Sequence, residues 1–268
     1  MNRTLGLVLG GGGARGVSHI GFLQALYEEG IRPDCIAGCS MGSIVGAGYA
    51  AGLTPERIKE LTLNLKLKDL AQLNTRVLKS LSLFRTGKIR ELLVSAIGDI
   101  TFDQLKIPFQ CNAVDLVSGS LITLSKGSVI DAIIASSTIP SVFEPLQKDG
   151  MMLVDGGLLD RMPAQLVKDM GAEVVVAVDP IGNLACRETP ENMISLILRV
   201  FDVQDINNTR RLHAERNFID LWLEPKLGMM NQYAVKDLDF AYDRGYEIGV
   251  ENVRRIKRLI HPIVGKKK

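Results

Sequence analysis

The sequence predicts a layered α/β domain with a largely parallel sheet, and three observations carry that expectation. Short runs rich in β-branched and apolar residues recur along the chain and end at Gly, Asp or Pro, as strands of a buried sheet do. Helical patterns lie between many of them, which is the order of parallel βαβ units. At 268 residues and 46% hydrophobic content, the chain is also long enough to bury a substantial core. With no internal repeat and no low-complexity linker, residues 1–268 read as a single domain.

The first strand, Leu5–Leu9, runs straight into Gly10–Gly13, after which Val17, Ile20, Leu23 and Tyr27 recur at helical spacing. A second strand at Asp34–Gly38 precedes the small, apolar helix Ser43–Ala51, and Thr54-Pro55 resembles an N-cap with proline at the first helical position. Residues 64–88 mix leucines with lysines and arginines and form the candidate flap. Phe109–Asp115 and Leu121–Ser125, turning at Ser118-Gly119, read as an antiparallel hairpin. Then come a helix at Ser128–Ser136, a strand at Met151–Asp155, a helix at Ala164–Met170 and a strand at Glu173–Asp179. Glu191–Arg216 and Val235–Ile260 read as helices on either side of a strand at Phe218–Leu223, and the chain closes with a basic tail over 254–268.

A formal net charge of +2 and a charged fraction of 23% give no reason to expect a nucleic-acid partner. Cys35, Cys39, Cys111 and Cys186 lack the paired spacings of a zinc site and read as reduced structural thiols. The N-terminus shows no charged-then-apolar leader, and no stretch approaches the roughly 18 apolar residues of a membrane span. The expected location is therefore cytoplasmic, with any lipid contact peripheral, at the inner membrane surface.

Gly11, Gly13 and Gly16 satisfy G-x-G-x-x-G after a strand and before a helix, the pattern of a dinucleotide-binding loop. That pattern also expects an acidic residue at the end of the second strand, whereas Asp34 precedes that strand. A P-loop fits less well still, since no Lys followed by Ser or Thr closes the glycine loop. The second strand leads instead into Gly38-Cys39-Ser40-Met41-Gly42, a G-x-S-x-G elbow in its strand-to-helix context. Ser40 is a nucleophile candidate there, and the plain alternative is an N-cap serine. Gly38 and Gly42 are needed because side chains would crowd the sharp turn.

Two parallel strands that end at one sheet edge set their following loops side by side. The N–H groups of Gly11, Gly12 and Gly13 can then face the Ser40 hydroxyl as an oxyanion hole, with Met41 N–H as a further donor. Arg15 either supports this loop or meets a substrate phosphate; the plain reading is a surface arginine.

A serine needs a base. His19 lies about two helical turns from the loop, roughly 9 Å along the axis, and is expected to pack away from Ser40. His213 sits in a polar run and His261 before Pro262 and the basic tail, neither at a strand end. The apolar strand Met151–Val154 ends in Asp155-Gly156-Gly157, which brings a carboxylate out at a sheet edge, with glycines that allow close approach. An ordinary Asp-Gly turn is the alternative. Asp155 is the preferred base.

These residues resemble the patatin-like phospholipase family. The resemblance rests on Gly10–Gly16, the elbow Gly38–Gly42, the block Ala135-Ser136-Ser137-Thr138-Ile139-Pro140, and Asp155-Gly156-Gly157. It implies a three-layer α/β/α patatin-like fold with a central mixed, mostly parallel sheet. It implies a serine acyl hydrolase in which Ser40 is acylated, Asp155 is the base without a histidine, and the glycine loop is the oxyanion hole. No metal or organic cofactor is implied, and the partner is a lipid or acyl-ester substrate. The sequence departs from the family at Arg161, two residues before Pro163, where family members often carry Asn; this loop is expected to bear on substrate choice. The leucines of 64–88 then fit either an amphipathic lid against acyl chains or a bilayer, or core helices with solvated basic faces. Two other functions stand beside the hydrolase: a nucleotide-binding oxidoreductase using the glycine loop, and a patatin-like scaffold without turnover.

Overall fold

The computed structural model describes residues 2–63, 72–73, 82–182, 189–232 and 237–262. Most of the candidate flap, Cys186 and the end of the basic tail lie outside the described residues. In chain order the elements are β1 (Leu5–Leu9), α1 (Ser18–Glu28), β2 (Cys35–Gly38), α2 (Met41–Ala50), α3 (Pro55–Leu63), β3 (Gln72–Leu73), β4 (Ser82–Arg85) and α4 (Gly87–Ile97). They continue with β5 (Phe109–Asp115), β6 (Ser120–Leu124), α5 (Val129–Ser137), β7 (Ser141–Phe143), β8 (Leu146–Lys148), β9 (Met151–Asp155) and α6 (Ala164–Asp169). The last are β10 (Val174–Val178), α7 (Met193–Glu215), β11 (Leu221–Leu223) and α8 (Leu238–Ile260).

The main sheet runs β11-β10-β1-β2-β5-β9-β8, with β6 paired to β5. β11, β10, β1, β2 and β5 pair in parallel, while β6, β9 and β8 run antiparallel to their neighbours. A smaller sheet joins β3, β4 and β7. Period-two alternation decides which side chains meet which helices. Leu5, Leu7 and Leu9 join the larger core with α1, α2, α5 and α8, whereas Val8, Ala37, Val175 and Ala177 meet α6 on the opposite face. Helices therefore cover both faces, as the resemblance implied.

One detail of register positions the site. Across Cys111–Asp115, one edge of β5 is taken by β6, so β2 and β9 share the other. Gly38, the last residue of β2, sits opposite Cys111, and Asp155, the last residue of β9, sits opposite Ala113. The two strands approach from opposite directions and meet end to end, so the loops after them must turn out of the sheet at one place.

Where elements differ from expectation, the reasons are local. The helix expected at Ser43–Ala51 begins at Met41, because Ser40 itself occupies the N-cap position. The strand expected at Phe218–Leu223 shortens to three residues. The sequence reading does not anticipate the helix α4, nor the strands β7 and β8, whose three-residue runs carry no readable period.

Candidate active site

The elbow is a strained turn. Ser40 has φ 51° and ψ −126°, a left-handed region that costs a non-glycine residue about 1–3 kcal/mol. Packing and hydrogen bonds hold it there. A Cβ at Gly38 would stand 2.6 Å from Gly42 O, and one at Gly42 would run into the Leu9 carbonyl. Ser40 N donates to both the carbonyl and the hydroxyl of Ser136, each at 3.1 Å. Its carbonyl accepts from Ser43 Oγ at 2.7 Å and Ser137 Oγ at 3.3 Å. The C-terminal end of α5 thus fixes the turn, and through Thr138 O, which accepts Asp155 N at 2.8 Å, it also fixes the end of β9.

The Ser40 side chain makes no cap hydrogen bond to its own helix. Ser40 thus sits at the N-cap position without capping the helix through its side chain. The Asp155 carboxylate stands beside the Ser40 hydroxyl in the same cleft, close enough to feel its hydrogen-bonding influence. Asp155 Oδ1 accepts from Gly157 N at 2.8 Å and from the Cys39 thiol at 3.6 Å. Burial is the largest influence on this carboxyl and pushes it up to about 6, although the hydrogen bonds from Ser40, Gly157 and Cys39 pull the other way. Gly156 is closely packed on Asn112, whose Nδ2 donates to Asp160 O at 2.7 Å.

The glycine loop comes alongside: a Cβ at Gly11 would lie 3.3 Å from Ser40 Cβ. Gly11 itself requires a correction. Its N–H donates to Arg161 O at 3.1 Å and is not free for an oxyanion. Among the described residues, the N–H groups of Gly12, Gly13 and Met41 have no such partner. Arg15 is also corrected as a substrate or surface residue. It is 2% exposed, and its guanidinium donates to the carbonyls of Pro180 (2.8 Å), Gly228 (3.1 Å) and Met230 (3.1 Å), so it braces the loop.

None of the three histidines lines the cleft around Ser40. His19 bonds Gly10 O through Nε2 at 2.7 Å, and burial drives it down to about 4, so it is a neutral support for the loop. His213 stacks on Trp222 with ring centroids 3.9 Å apart. His261 bonds the Asn2 side chain. Asp34 accepts Leu5 N at 2.6 Å at the far end of β1, away from the glycine loop, where it cannot meet a ribose. Cys35, Cys39 and Cys111 are buried free thiols, and no group of three or more metal-ligating side chains occurs among the described residues.

The rest of the cleft comes from residues that no local motif marked. Phe201, Asp202 and Asp205 of α7 and Gln232 complete the wall facing Ser40, Ile139, Pro140 and Leu158. Arg161, 3% exposed, ties this wall to the sheet by pairing with Asp179 and with Asp205 at 2.7 Å. Burial depresses the guanidinium's charged form, but the two carboxylates outweigh it and raise Arg161 far above the ordinary range. The one signal in the sequence was Arg161's departure from the family's usual Asn.

Residues 7–168, more than half of the chain, match the Patatin-like phospholipase family. The chain belongs to that family. An uncharacterized NTE-family protein of Mycobacterium tuberculosis is 36% identical over 179 residues, covering 67% of this chain and 49% of that protein. This chain thus spans about half the length of the mycobacterial relatives it matches. Lysophospholipase NTE1 of Coccidioides immitis is 33% identical over 285 residues, 95% of this chain and 18% of that protein. Among solved structures, VipD from Legionella pneumophila superposes with a TM-score of 0.60 at 14% identity, over 95% of this chain and 67% of that one, which shows a shared fold.

Proposed function

We propose that this chain is a serine acyl hydrolase that cleaves carboxylic esters of lipids, with Ser40 as nucleophile and Asp155 as its base. One observation carries the reading: Ser40, held in a strained elbow with no cap bond to its own helix, stands in one cleft beside the buried Asp155 carboxylate. A carboxyl lifted to about 6 is a far better proton acceptor than an ordinary aspartate, yet it remains ionised at neutral pH.

Ser40 Oγ attacks the ester carbonyl carbon while its proton passes to Asp155. The carbonyl oxygen becomes an oxyanion facing Gly12, Gly13 and Met41 N–H, at the positive end of the α2 dipole. Collapse breaks the bond to the leaving alcohol, which takes the proton back from Asp155. Water then attacks the acyl-Ser40 ester, again losing a proton to Asp155, and the fatty acid leaves with Ser40 restored. Gly38, Gly42 and Gly156 serve by close packing, Gly11 and Arg15 by holding the loop.

A lipid substrate is supported by membership of a phospholipase family and by the lysophospholipase among the relatives. It also fits the cleft wall of Ile139, Pro140, Leu158 and Phe201. No helix among the described residues is long and apolar enough to cross a membrane. The outer face of α7 exposes Met193, Leu196, Val200 and Val203, a stripe suited to peripheral lipid contact. Sedimentation with anionic vesicles, compared with a Leu196→Glu/Val200→Glu double variant, tests that contact.

A fluorophosphonate probe tests the chemistry. It should label the wild type at Ser40, and labelling and esterase activity should both vanish in Ser40→Ala. A protein that takes no label and hydrolyses no ester of any chain length is a scaffold, and the reading fails.

A further inference from the structure

A carboxylate that serves as a base must be aimed as well as buried. The torsion that turns an aspartate carboxyl about its Cβ–Cγ bond is broad, so no rotamer preference fixes it. Asp155 is 9% exposed, and bulk water has little access to its oxygens. Two donors from distant segments meet at one of them, Oδ1. Gly157 N, from the turn after β9, donates at 2.8 Å, and the Cys39 thiol, from the first residue after β2, reaches it at 3.6 Å. Cys39 is fully buried and immediately precedes Ser40 in the elbow. Its backbone is pinned on both sides: its N–H donates to Leu9 O at 3.1 Å, and its carbonyl accepts Ser43 N at 3.3 Å. Gly157 leaves the room in which thiol and carboxylate meet, since a Cβ there would stand 3.1 Å from Asp155 Oδ1 and 3.9 Å from Cys39 Sγ.

We infer that Cys39 is a positioning residue for the reaction: its S–H, together with Gly157 N–H, seats Asp155 Oδ1 and leaves Oδ2 for the Ser40 proton. The inference rests on the Ser40 and Asp155 reading and deepens it, by giving a role to a position that the G-x-S-x-G pattern leaves open. Burial, with the charges of Asp155, Asp160 and Asp205, pushes the thiol well above its ordinary range. Cys39 therefore stays protonated at neutral pH, a standing donor and no rival nucleophile. Burial is also the largest influence on the Asp155 carboxyl; Gly157 and Cys39 favour its charged form, while Asp205 of α7, itself paired with Arg161, disfavours it. A thiol is a weak donor. It can orient the carboxylate while lowering its proton affinity less than a hydroxyl in the same place, which suits a group that must be held still and remain basic.

The test compares full-length wild type, Cys39→Ala and Cys39→Ser across pH on one soluble p-nitrophenyl ester. Loss of the donor in Cys39→Ala should raise the acid limb of kcat by about 0.5–1 pH unit and lower the plateau kcat about 10-fold, with KM unchanged. Cys39→Ser, which keeps a donor, should bring the limb back to the wild-type value or below it. A limb that stays in place in Cys39→Ala, or that moves equally in both variants, assigns Cys39 to packing alone and overturns the inference. A second measurement needs no change at position 39. In the infrared, one S–H stretching band of the wild type should shift as Asp155 titrates near pH 6, and that shift should vanish in Asp155→Asn. A wild type in which no S–H band follows pH, or a band that still does so in Asp155→Asn, overturns the contact. If the wild type hydrolyses no ester, the hydrolase reading fails on its own, and the infrared band still decides whether the thiol holds the carboxylate.

Discussion

The two walls of the candidate active-site cleft are built by different means. On the Ser40 side, backbone groups do the positioning: glycines pack where a Cβ would collide, and the amides and carbonyls of Ser40, Ser136, Thr138 and Asp155 bond one another. On the α7 side, side chains do it: Arg161, Asp179, Asp205, Asp202 and Gln232 form ion pairs and hydrogen bonds between distant elements. Backbone positioning tolerates little change in shape and suits a reaction common to many relatives. Side-chain positioning can be exchanged residue by residue and suits a substrate preference. Substitutions on the first wall should therefore act on kcat, and those on the second on stability and KM.

The largest expected effect is on turnover. Asp155→Asn leaves the shape of the site but removes the proton acceptor, and kcat should drop about 10⁴-fold, as in other serine hydrolases that lose a member of the catalytic unit. A variant within tenfold of wild type would break the distinction at its centre. Second, Arg161→Ala leaves Asp179 and Asp205 buried without their cation, and unfolding free energy by urea titration should fall by about 3–5 kcal/mol. Third, Gly12→Ala places a Cβ 2.6 Å from Pro180 Cγ and shifts the loop. Its kcat should fall about 10²–10³-fold, the usual effect of losing an oxyanion donor.

The fourth prediction concerns pH. Asp155 is raised to about 6 from 3.8, so between those values the folded protein binds more protons than the unfolded one and stability falls as pH rises. Activity should decline below pH 6 as the base is protonated. Asp155→Asn should be more stable than wild type at pH 8, by up to about 3 kcal/mol, with the advantage gone by pH 4. Thermal unfolding at the two pH values checks this. Smallest of all, Arg57→Ala breaks an exposed pair with Glu60 far from either wall, and should cost no more than about 0.5 kcal/mol.

The same division explains what could be read from the chain. Ser40, Asp155 and the glycines were legible because a strand that must turn sharply into a helix demands particular residues within a few positions. The alternating strands, and hence the layered sheet, were legible for a similar reason, since burial on both faces leaves long apolar runs. The α7 wall was not. Asp202 and Asp205 look like solvated positions on a polar helix until tertiary packing turns them toward Arg161 and Gln232. Gly11 illustrates the limit within a motif: spacing placed it in the loop, but only the approach of Arg161 O decides that its N–H is engaged.

The end-to-end meeting of β2 and β9 along β5 has a consequence for the life of the chain. Cys39 and Asp155 are 116 positions apart, and nothing local holds Ser40 near Asp155 before β5, β9 and the end of α5 have docked. Under the proposed mechanism, a ribosome-bound or misassembled copy has an inert alcohol in place of a nucleophile. On the proposed reading, ester substrates meet this chemistry only after assembly is complete, and recovery of esterase activity during refolding would report on the arrival of the last central strand.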